Sequence, residues 1–141
     1  MSVCTFFGHR DCPEEVKQRI KQTIEQLILE GVDTFYVGNN GHFDAYVRST
    51  LKQLQLEYSH IYYAVVLAYL PTRKDEYENY AETMFPEGLE LVHPRYAIDR
   101  RNRWMLDRAD HVICYVKHRW GGAARYVQLA HSRGKVIHEI I

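Results

Sequence analysis

Hydrophobic and polar positions along the chain follow two alternating periods. Residues 3–7 form a short run of β-branched and aromatic side chains ending at Gly8, the pattern of a buried strand followed by a turn. The period then becomes helical. Val16, Ile20, Ile24, Leu27 and Ile28 recur on one face, Pro13 suits a first turn, Glu14 and Glu15 favour the positive end, and Gly31 supplies the stop. Residues 34–37 predict a second strand, broken by Gly38-Asn39-Asn40-Gly41. Residues 42–55 predict a helix with Phe43, Val47, Leu51 and Leu54 on its apolar face. Residues 61–69 are a nearly continuous apolar run, as in a central strand covered on both faces.

The alternation lapses over residues 72–92, which are charged and irregular and read as an excursion between core elements, with a turn at Pro86-Glu87-Gly88. It resumes with an arginine-rich helix over residues 96–109, a strand over 111–116, a helix from Gly121-Gly122 to Gly134, and a strand over 136–140. This order predicts an α/β, three-layer fold in one domain spanning residues 1–141: a mostly parallel sheet of about five strands with helices on both faces.

Composition narrows the function classes. The 18 basic and 18 acidic side chains cancel, which argues against a protein that holds long nucleic acid by charge alone and leaves room only for a local basic patch, so nucleic acid is not expected as a partner. Cys4, Cys12 and Cys114 have no zinc-type spacing and are odd in number, which suits a reducing compartment, so the cytoplasm is the expected location. The chain does not open on a secretory pattern, and its longest apolar run, residues 61–70, is about half a membrane span, so no membrane partner is expected. The 8 histidines are dispersed without ligand spacing, and neither a metal nor a cofactor is expected. No nucleophile elbow and no phosphate-loop lysine is present.

Candidate chemistry gathers where strands end. In a parallel sheet the loops leaving the carboxyl ends of the strands share one edge. Three of them here carry glycine and lead into helices: Gly8-His9-Arg10, Gly38-Asn39-Asn40-Gly41 and Arg119-Trp120-Gly121-Gly122-Ala123. A glycine-preceded helix N-terminus leaves N–H groups free and admits an anion without meeting a Cβ, so phosphate is the natural ligand. His9 is a further donor, and Arg10 either grips phosphate in a bidentate manner or pairs with Glu14. Asn39 and Asn40 reach ribose hydroxyls or a base edge, or simply tolerate left-handed turn geometry. Asp44 contacts ligand or pairs with Arg48, and Trp120 stacks on a base or packs against the protein.

Thr5-Phe6-Phe7-Gly8-His9-Arg10, the Gly38 loop, Arg100-Arg101-Asn102-Arg103-Trp104-Met105 followed by Asp107 and Asp110, and Trp120-Gly121-Gly122 before a helix resemble the SLOG superfamily. This Rossmann-like group includes the lonely-guy phosphoribohydrolases, the DprA/Smf proteins and small YpsA-like bacterial domains, and the resemblance is closest to the last. It implies a Rossmann-like fold that binds a nucleotide or an ADP-ribose-like small molecule on its glycine loops. Arg103, with Arg100 beside it, matches the helix arginine of the family as a phosphate contact. Related folds often pair, so a homo-oligomer is expected.

The lonely-guy motif P-G-G-x-G-T-x-x-E is incomplete here: aligned on Gly121 and Gly122, the chain has Ala124 and Arg125 for Gly-Thr and Gln128 for Glu. A glutamine supplies no carboxylate for an oxocarbenium-like transition state. A binding or sensing module therefore leads. The alternatives are a phosphoribohydrolase that uses Asp44, Glu76, Glu78 or Glu82 instead, and a protein-interaction module with a vestigial site and a binding surface drawn from its 11 tyrosines. Single-stranded DNA binding by analogy with DprA is set aside on the neutral charge.

Overall fold

In a computed structural model, which describes residues 1–70 and 83–140, the first apolar run becomes β1 (Val3–Gly8), buried at every position up to Phe7. α1 (Val16–Leu29) buries all five residues of its predicted stripe, and each fully buried Ile or Leu contributes about 1.5–3 kcal/mol. The helix begins after the expected proline: the Val16 N–H donates to the Pro13 carbonyl at 3.1 Å, so residues 13–15 make a turn ahead of it. β2 (Thr34–Val37) and α2 (Gly41–Glu57) follow, the latter burying Phe43, Val47, Leu51 and Leu54 as its periodicity requires.

β3 (Tyr62–Val66) is shorter than the apolar run that predicts it, although Leu67 and Ala68 remain buried beyond its end. β4 (Thr83–Met84) is a strand inside the stretch read as an irregular excursion. It pairs with Val65 and Val66, and two residues are too few to leave a periodic trace. Short 3-10 turns at Leu89–Leu91 and Pro94–Tyr96 lead into α3 (Ala97–Arg108), β5 (His111–Tyr115), α4 (Gly122–Ser132) and β6 (Val136–Glu139).

The sheet has six strands in the order β4-β3-β2-β1-β5-β6, and every pairing is parallel. One face packs on α1 and α2 through Phe6, Phe35 and Ile113. The other packs on α3 and α4 through Phe7, Val112 and Cys114, with Phe7 stacked on Tyr126 at 5.2 Å. Among the described residues no helix is long and apolar enough to cross a membrane.

Candidate functional site

Strand order reverses between β1 and β5. β1 leads into α1 on one face and β5 into α4 on the other, so their loops part and leave a crevice at the carboxyl edge. A cavity of about 310 Å³ opens there. Its walls are Phe6, Phe7, Gly8, His9 and Arg10 from β1 and its loop, Asn40 and Asp44 from the start of α2, Ile98, Arg101, Asn102 and Met105 from α3, and Gly122, Ala123 and Tyr126 from α4.

Arg101 forms the floor and is 1% exposed. Its guanidinium donates to Asn39 Oδ1 at 3.1 Å, Asn40 Oδ1 at 2.6 Å, the Val66 carbonyl at 3.0 Å and Asn102 Oδ1 at 2.8 Å. Burial works against its charge and the facing Asp44 works for it. Arginine does not release its proton in a protein, so the cavity keeps a buried cation.

Asp44 answers from α2. Its Oδ2 accepts the Asn40 N–H at 3.0 Å. Burial pushes its carboxyl up to about 6, against the downward pull of that N–H and of Arg101, Arg48 and Arg10. Gly38 lies where these groups meet: a Cβ there would fall 2.8 Å from Asp44 Oδ2 and 3.0 Å from Arg101 Nη1. The carbonyl of Gly38 accepts from Arg48 at 3.4 Å. The second glycine loop is thus closed around a clamp.

The loop after β1 is tied on both sides. The His42 N–H donates to the Arg10 carbonyl at 2.8 Å, which brings Gly41 against Arg10 and leaves the Arg10 side chain exposed. His9 Nε2 accepts the Lys117 N–H at 2.8 Å, so the neutral ring carries its proton on Nδ1. Burial, then His118 and Lys117, hold His9 below the ordinary histidine range.

The loop after β5 is open by contrast. Gly121 has φ of 95°, a conformation that favours glycine, and turns the chain into α4. A Cβ built on Gly122 meets nothing within 4 Å, although Gly122 lines the cavity. The first turn of α4 therefore offers unpaired N–H groups and the positive end of its dipole to an incoming anion. The wall between α3 and α4 is fixed by Asp99, which accepts from the Tyr126 hydroxyl at 2.5 Å and pairs with Arg103 at 3.1 Å and Arg125 at 3.7 Å. Burial raises the Asp99 carboxyl, but Tyr126 and the two guanidiniums outweigh it and hold it below the ordinary range.

Gly8, His9, Arg10, Asn40, Asp44, Gly122 and Ala123 therefore come together around one cavity. Gly38 and Asn39 lie behind it, where the Asn39 and Asn40 side-chain carbonyls are taken by Arg101. Trp120 and Gly121 are exposed in the loop leading to it. Arg100 and Arg103 do not line it. They border a second depression of about 320 Å³ with Trp104, Asp107 and Arg108, and Arg103 is paired with Asp99. Arg101, Asn102 and Tyr126 are the polar site residues that sequence reasoning passed over.

A signal for Arg101 was present: Ala97, Arg101 and Met105 recur every four residues, which puts this arginine on the buried face of α3. Of the carboxylates weighed for hydrolysis, Asp44 lines the cavity, while Glu76, Glu78 and Glu82 lie outside the described residues. Gln128 is exposed and donates to the Arg119 carbonyl at 3.2 Å, which pins the loop after β5. Burial pushes the Cys12 thiol up to about 11, a poor nucleophile at neutral pH.

Fold and crevice together define a doubly wound, Rossmann-like α/β protein with a cleft at its switch point. No family model matches the chain, and no curated protein matches it in sequence. Among solved structures it is similar to DNA processing protein A (DprA) from Streptococcus pneumoniae, with a TM-score of 0.68 and 14% identity over 99% of this chain and 50% of that one. It is also similar to DprA from Helicobacter pylori, whose structure is described for its single-stranded DNA binding mode, with a TM-score of 0.64 and 14% identity over 98% of this chain and 64% of that one.

The chain spans half of the first protein and under two thirds of the second. The fold is DprA-like. This finding corrects the expectation against nucleic acid, since a protein of this fold binds single-stranded DNA. Net charge was the wrong measure. It sums over the whole surface, whereas Arg10, Lys117 and Arg119 are exposed together in the loops after β1 and β5.

Proposed function

We propose that the crevice between β1 and β5 binds a nucleotide-type ligand through its phosphate, and that the chain serves as a binding or sensing module. The observation that carries this is the first turn of α4: Gly122 faces the cavity with no atom within 4 Å of its would-be Cβ, and the other walls supply Arg10 and the buried Arg101. Helix N–H groups and the exposed Arg10 guanidinium, with the buried charge of Arg101 behind them, suit a phosphate better than any neutral group. A free nucleotide or an ADP-ribose-like molecule is the ligand this reading favours, and the resemblance of the Arg100 to Met105 segment and the later Gly-Gly to the small YpsA-like SLOG domains supports it.

The second reading is a single strand of nucleic acid. Exposed Arg10, Lys117 and Arg119 favour it, together with the DprA-like fold. Calorimetry with nucleoside mono- and diphosphates, ADP-ribose and a short oligodeoxynucleotide tests both. A nucleotide that binds in the micromolar range with little salt dependence supports the first reading. Binding confined to the oligonucleotide, and falling steeply with salt, supports the second. Absence of any binding tighter than millimolar contradicts both.

A further inference from the structure

Trp120 has no role in the cavity itself. A tryptophan contributes to folding by burying its ring, yet this one is 71% exposed. Its ring is nevertheless held in place. It stacks on His118 with centroids 4.2 Å apart and planes 15° from parallel, and His118 stacks on His9 at 4.2 Å and 26°. His9 lines the cavity, so the three rings make a ladder from the cavity to solvent.

Hydrogen bonds fix the two histidine rungs and the backbone that carries the third. The Lys117 N–H donates to His9 Nε2 at 2.8 Å, His118 Nδ1 donates to the Trp120 carbonyl at 2.9 Å, and Gln128 holds the Arg119 carbonyl at 3.2 Å. The stack is already formed in the free chain, which lowers the ordering cost of binding.

The geometry points to this ladder as the base-stacking half of the site. The sugar phosphate of a nucleotide lies in the cavity, with its phosphate at the first turn of α4, and the base leaves the cavity to stack on Trp120. This rests on the nucleotide reading above and adds what is recognised. Every nucleobase presents a π face, so stacking tolerates any base and favours the larger purine ring. His9 Nε2 and His118 Nδ1 are engaged within the loop, and the stacked rings present their faces to a base, so stacking is the main contact. The ligand class is therefore a nucleotidyl group taken largely without regard to its base.

Calorimetry on the full chain with the common ribonucleoside 5′-monophosphates and with ribose 5-phosphate tests this. The nucleotides should bind within about tenfold of one another, purines tightest, and ribose 5-phosphate about tenfold or more below them. Trp120→Ala should bring the nucleotides down to the ribose 5-phosphate level and leave ribose 5-phosphate within about twofold, while Trp120→Phe keeps most of the affinity. Unchanged nucleotide affinity in Trp120→Ala, or one nucleotide preferred by more than about a hundredfold, overturns the ladder and leaves the nucleotide reading standing. A wild-type chain that binds none of these probes, nucleotide or sugar phosphate, overturns both.

Discussion

The loops after β2 and β5 look alike in sequence and behave oppositely in the fold. Both place glycines between a strand end and a helix start. Around Gly38 the space a Cβ would need is filled by Asp44 and Arg101; beside Gly122 it is empty. One glycine makes room for the protein's own side chains and the other leaves room for something else. A glycine loop is thus open to an anion only where the protein leaves it unfilled, and that depends on residues both near (Asp44) and far (Arg101) in the chain.

Breaking the filled side should have the largest effects. Arg101→Met leaves the Val66 carbonyl and the Asn39 and Asn40 amides without their donor and Asp44 without its facing charge, so urea denaturation should show a loss of about 3–5 kcal/mol. A loss below about 1 kcal/mol would mean that the clamp contributes little.

The pH dependence of Asp44 comes next. Its carboxyl keeps a proton to about pH 6 in the folded chain, against an ordinary value of 3.8 when unfolded. The folded state binds more protons in that window, so this group makes stability fall as pH rises from about 4 to about 6, by about 2–3 kcal/mol, and level off above. Asp44→Asn retains an acceptor for the Asn40 N–H and should lack this part of the slope. Stability that depends on pH equally in variant and wild type across that window would show that the Asp44 carboxyl is not raised.

Gly38→Ala sharpens the comparison directly. Its methyl group meets two side chains held by several hydrogen bonds, and a destabilisation of about 1–3 kcal/mol is expected from thermal unfolding. An alanine tolerated without cost would mean that the filled loop has slack.

The elements other than β4 were legible in the sequence, and the difference between the loops was not. The stripe from Val16 to Ile28 and the apolar face of α2 are set by local periodicity, and the structure follows them. The Gly38 contact is completed by Arg101, which is distant in sequence, and the nearby Asp44 alone does not tell this loop from the one at Gly122. The resemblance points to Arg100 and Arg103 as phosphate contacts, while Arg101, next to Arg100, is identifiable only by its spacing from Ala97 and Met105. The charge balance misled for a similar reason, since a sum carries no positions.

The most direct test of the open side is Gly122→Asp, assayed by calorimetry with whichever nucleoside phosphate wild type binds best, alongside thermal unfolding. An aspartate in the first turn of a helix suits its dipole, so stability should stay within about 0.5 kcal/mol, while the carboxylate repels phosphate and lowers affinity at least about tenfold. Undiminished affinity in a stably folded Gly122→Asp chain would contradict the account, because the anion would then not be held at the start of α4.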